Sequence, residues 1–94
     1  MEKYLLFIIV EREMPSPDVF DTWDEAFEAM IAELREVSKG DDVPENIKEI
    51  LEKEEEYADG NMGIGRDFAW LNTRDNYDWQ IRKLTVVGQT VTIE

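Results

Sequence analysis

The chain of 94 residues has room for one small core and no second one. Its 23 acidic and 10 basic residues give a formal charge of −13, and it holds neither cysteine nor histidine, which excludes disulfides, thiolate metal sites and imidazole chemistry. With 43% apolar residues it has too much core material for a disordered acidic tail, so residues 1–94 read as a single globular domain.

Tyr4-Leu5-Leu6-Phe7-Ile8-Ile9-Val10 is apolar at every position and rich in β-branched and aromatic residues, which predicts a strand covered on both faces and central in its sheet. Seven residues are too few to cross a bilayer, and no small-residue cleavage site follows them. The expectation is a cytoplasmic protein with no membrane contact. Met14-Pro15-Ser16-Pro17-Asp18 then breaks regular structure.

Thr22-Trp23-Asp24-Glu25 has the spacing of a capping box, and Trp23, Ala26, Phe27, Met30, Ile31, Leu34 and Val37 follow at intervals of three and four. This predicts an amphipathic helix over residues 22–39, with Lys39 in the last turn and Gly40 as its stop. A second helix is expected from Asp42 or Val43, with Pro44 in its first turn and Gly60 at its end. Ile47, Ile50, Leu51, Tyr57 and Ala58 would form its inner face. Glu54 falls inside that apolar stripe. Either it sits near the helix end with its carboxylate in water, or it forms a partly buried ion pair with Arg66 or Arg82, because burying it alone is costly.

After a turn at Asp59-Gly60-Asn61, residues 63–72 predict a strand with Phe68 and Trp70 on one face and Ala69 and Leu71 on the other. Tyr77, Trp79 and Ile81 alternate with polar residues in a further strand. Gly88-Gln89 suits a two-residue hairpin link between residues 84–87 and 90–93. The apolar phase changes between Ile81 and Leu84, which predicts a bulge or bend near Arg82-Lys83. Trp23, Trp70 and Trp79 either mark a binding surface or pack in the core; their inward phases favour the core, with Trp70 and Trp79 close together on adjacent strands. The resulting order β-α-α-β-β-β predicts an α+β, two-layer fold, an antiparallel sheet of three to four strands with two helices packed on one face. The other face is then apolar, covered either by loops or by another subunit.

The charge is unevenly placed, with 18 acids and 5 bases in residues 11–59 and a neutral remainder. Such a distribution leaves no basic cluster for direct nucleic-acid binding. Gly60-Asn61-Met62-Gly63-Ile64-Gly65-Arg66 matches neither a dinucleotide fingerprint nor a phosphate loop and reads as a flexible loop or β-bulge. Asp41-Asp42 and Asp75-Asn76-Tyr77-Asp78 lack the spacing of a calcium loop. No cofactor, metal site or catalytic residue is expected, and no enzyme.

The opening apolar strand, Phe20-Asp21-Thr22-Trp23-Asp24-Glu25-Ala26, Asp67-Phe68-Ala69-Trp70 and Asn76-Tyr77-Asp78-Trp79-Gln80-Ile81 together resemble small uncharacterised acidic proteins encoded on bacterial phages and other mobile elements. That resemblance implies a role on such an element and transfers no catalytic residue. The expected function is a small acidic protein–protein interaction module, with a partner of unknown identity or a homodimer through the open sheet face. The alternative is an inhibitor that imitates nucleic acid, presenting Glu25, Glu28, Glu36, Glu45, Glu49, Glu52, Glu56 and Asp59 to a basic groove. A small-ligand or catalytic pocket near Glu54 and Arg66 ranks last.

Overall fold

Strand β1 (Glu2–Val10) lies inside the sheet, antiparallel to β2 (Asp18–Phe20) on one side and to β6 (Asn76–Val87) on the other. The structure is a computed structural model that describes residues 2–11, 13, 16–38, 43–73 and 75–93. The class is α+β: among these residues helices α1 (Trp23–Val37) and α2 (Ile47–Lys53) pack on one face of a seven-stranded antiparallel sheet. The other strands are β3 (Glu56–Asp59), β4 (Met62–Gly65), β5 (Phe68–Asn72) and β7 (Thr90–Ile93). They run in the order β2-β1-β6-β5-β4-β3, and β7 pairs with the second half of β6.

Helix α1 begins where the capping chemistry puts it. Thr22 Oγ1 accepts the Glu25 N–H at 3.2 Å and donates to Glu25 Oε1 at 3.1 Å. Ala26, Phe27, Met30, Ile31 and Leu34 are buried along one stripe. They meet Leu6, Trp79, Ile81, Ile64 and Met62 from the sheet and Ile47 and Leu51 from α2. Lys39, Gly40 and Asp42 lie outside the described residues.

Several expectations need correction. Among the described residues the sheet has seven strands where three to four were expected, and the second helix is less than half its expected length. It starts after Asn46 and is over by Lys53, where Glu54 turns extended (φ −127°, ψ 149°). Tyr57 and Ala58 belong to β3, because pairing with β4 through the turn at Gly60 (φ +61°) takes residues 56–59 out of helix. Glu54 did not fit the helical wheel because the helix has ended there. Residues 63–72 divide into two strands around Arg66-Asp67, so the glycine segment is neither loop nor bulge but strand β4.

The bulge near Arg82-Lys83 does not form. The β1–β6 register runs unbroken from Glu2↔Thr85 to Val10↔Tyr77. The apolar phase changes because the sheet changes which side it hides. Trp79 and Ile81 lie under the helices, and Leu84 and Val86, three and five residues past Ile81, lie on the opposite face. Trp70 and Trp79 are on neighbouring strands but opposite faces, since Trp70 pairs with Asp78 and Ala69 with Trp79.

Candidate interaction surface

Alternation along β1 sends Tyr4, Leu6 and Ile8 to the helices and Leu5, Phe7 and Ile9 to the outer face. On that face the register sets Leu5, Phe7 and Ile9 beside Arg82, Gln80 and Asp78 of β6. Phe68 and Trp70 of β5 follow on the next strand, and Ala58 and Glu56 of β3 close the row beyond two glycines.

Those glycines make the face flat. A Cβ on Gly63 would collide with the indole of Trp70, and one on Gly65 with the ring of Phe68. Each aromatic side chain therefore lies down on the backbone of β4 instead of standing up from the sheet. The spacing is the signal that sequence reading passed over: Gly63 and Trp70, and Gly65 and Phe68, are mirrored about the two-residue turn Arg66-Asp67. Phe7, Ile9 and Trp70 are half-buried, and Phe68 and Val19 are exposed. The charged residues in phase with this face, Lys3 and Arg82 against Asp78 and Glu56, cancel.

The turn that carries the aromatics is tied to both helices. Arg66 Nε and Nη2 donate to the Leu51 carbonyl at 3.2 and 3.0 Å, answering a backbone acceptor that the end of α2 leaves open. Trp23 Nε1 donates to the Arg66 carbonyl and to Asp67 Oδ1, both at 3.1 Å. Between the turn and the helices lies a groove of about 470 Å³ lined by Trp23, Asp24, Lys48, Leu51, Glu52, Arg66 and Asp67. Its cationic and indole donors are already engaged within the fold. Of the two alternatives for Glu54, the structure has the carboxylate exposed at the end of α2 and not in a buried ion pair: Arg66 and Arg82 are exposed too, and Arg82 donates to Gln80 Oε1 at 3.0 Å.

The eight acidic residues expected to face a basic groove together are all exposed but divide among different elements. Glu25, Glu28 and Glu36 are on α1, Glu49 and Glu52 on α2, and Glu45 in the turn before it. Glu56 and Asp59 are on β3, where a separation of three sends side chains to opposite faces. Lys48 bridges α2 to α1, with Nζ 2.6 Å from Glu28 Oε1 and 3.4 Å from Asp24 Oδ1. Its pKa is raised, first by the hydrogen bond to Glu28. This bridge neutralises part of the row that would have to imitate phosphates.

Among the described residues no group of three or more Asp or Glu is placed to hold a metal ion, and no helix is long and apolar enough to cross a membrane. The chain matches no family model, no curated protein and no solved structure.

Proposed function

We propose that this protein is a small acidic interaction module that docks another polypeptide on the outer face of its sheet, without catalysis. The observation that carries the reading is the contrast between that face and the chain around it. In a molecule of net charge −13 the outer face is apolar, aromatic and charge-balanced. Interface cores are depleted in charge and enriched in aromatic side chains. Trp70 and Phe68, laid flat on glycine, present the low relief that a second surface can cover. Elsewhere the acidic exterior repels other acidic proteins and keeps the molecule apart from its neighbours.

The test is photo-crosslinking in cells that naturally express the chain. A photoreactive phenylalanine analogue at position 68 keeps the ring in place, and the same analogue at position 36 reports on the helical layer. Discrete protein adducts are expected from position 68 and not from position 36. Adducts of basic nucleic-acid-binding proteins from position 36 alone would overturn the reading in favour of nucleic-acid imitation.

A further inference from the structure

We propose that β7 is the edge through which two copies of this chain pair, antiparallel, into one continuous sheet. Among the described residues β2, β3 and β7 are the strands that pair on one side only. Two of these edges are protected in the usual ways. β2 has three residues, begins at Asp18 and follows Pro17, and β3 carries Glu56 and Asp59 and follows two further glutamates. β7 has neither a proline nor a charge within its four residues, and the one charge beside it in the chain is Glu94. Thr90-Val91-Thr92-Ile93 is uncharged and β-branched at every position, in a chain that is 35% charged. All four residues are exposed, Val91 at 59% and Ile93 at 57%, and Val87 just before the turn stands at 70%. A ribbon this open gains most from a further strand.

The hydrogen-bond geometry suits a copy of itself. Gly88-Gln89 is a two-residue link with Gly88 at φ +61°, so the flanking Val87–Thr90 pair is the hydrogen-bonded one. Strict alternation then makes Val86–Val91 and Leu84–Ile93 the pairs without bonds between them. The N–H and C=O of Val91 and Ile93 therefore point away from β6, towards the open side. A two-fold axis through Thr92 sets Val91 of one copy against Ile93 of the other, twice over. Those two pairs exchange four hydrogen bonds, and the contact closes on itself as a dimer.

Charge selects the same place. Two molecules of −13 repel wherever carboxylates are uncompensated. At the β7 end of the sheet, Lys83 pairs with Glu2 at 3.0 Å and Lys3 with Asp21, and Arg82 adds a further positive charge. With Glu94, which follows β7 in the chain, these charges sum to zero, so two copies meet there without the repulsion of the acidic middle. The pairing goes beyond the docking reading: it uses the backbone of β7, while docking uses the side chains around Phe68 and Trp70. It also joins the two outer faces into one.

The experiment uses the full chain, which has no cysteine of its own. Thr92→Cys places a thiol beside its own copy at a pair without backbone bonds, where side chains come closest. Mild oxidation is expected to give a disulfide-linked dimer, and Glu36→Cys to stay monomeric under the same conditions. Sedimentation of the unmodified chain is expected to show a dimer. Val91→Pro removes an outward N–H while sparing the β6 ladder, and it should yield a folded monomer by circular dichroism. Should that variant unfold, Val91→Lys tests the same edge with a charge. A chain that stays monomeric at high concentration, open-ended aggregates, or a dimer that survives both Val91 variants without trapping through Thr92→Cys would overturn the proposal. Loss of adducts at position 68 with the dimer intact would overturn the docking reading alone.

Discussion

The indole of Trp70 occupies the space that a Cβ of Gly63, its partner across the β4–β5 ladder, would fill. The contact joins a residue with no side chain to the largest side chain available. It settles how one flank of the outer face looks to anything approaching it. In the same way Phe68 lies on Gly65, so two neighbouring rings share one flat platform.

Gly63→Ala tests that contact. The new methyl must displace the indole, at a cost of about 1–3 kcal/mol for an overpacked site. Chemical unfolding followed by tryptophan fluorescence should show the lower midpoint. The emission of the native state should shift to the red as Trp70 lifts into water.

Trp79 is fully buried, and its Nε1 donates to Glu33 Oε2 at 2.9 Å. Glu33→Ala removes the acceptor and leaves the indole N–H without its partner, which costs about 1–3 kcal/mol. Glu33→Gln keeps an oxygen in reach and should lose much less. Urea denaturation of the two variants separates these outcomes, and the indole proton resonance should move in Glu33→Ala.

Arg66 holds the last turn of α2 through the Leu51 carbonyl. Arg66→Met keeps the aliphatic stem and removes both donors, so α2 should fray first. Amide exchange in residues 47–53 is expected to accelerate more than exchange in α1, with global stability lower by about 1–2 kcal/mol. Equal acceleration in both helices would remove the capping role from Arg66.

Lys48 reaches from α2 to Glu28 and Asp24 and lies 5.9 Å from the centre of the Phe27 ring. Its pKa stands above lysine's ordinary 10.5. The folded state therefore holds the proton more tightly than the unfolded chain does. The stabilisation is complete below 10.5 and fades as pH rises through the raised value. The side chain is 42% exposed, so the effect is small and screened. Lys48→Met should melt slightly below the parent at neutral pH and low salt. The gap should close in high salt and at strongly alkaline pH.

Much of this architecture is written in short-range patterns. The apolar run at residues 4–10 specifies a strand with neighbours on both sides. Thr22 and the spacing of Trp23, Phe27, Met30 and Leu34 specify α1, and Gly88-Gln89 specifies the β6–β7 turn. The acidic middle and neutral ends are plain arithmetic on the chain. Such features depend on residues within a turn or a hairpin of one another, and a local reading reaches them.

Tertiary pairing decided the rest. Residues 54–59 have the composition of a helix, yet β4 offers them a ladder, and the ladder wins. Gly63 and Gly65 look like flexible links until β5 folds back and lays Trp70 and Phe68 across them. The phase change after Ile81 looks like a bulge until the helices are seen to cover only one side of the sheet, leaving Leu84 and Val86 to face the other way. In each case the partner lies on a different element, and the free energy of burial and of backbone pairing depends on who that partner is.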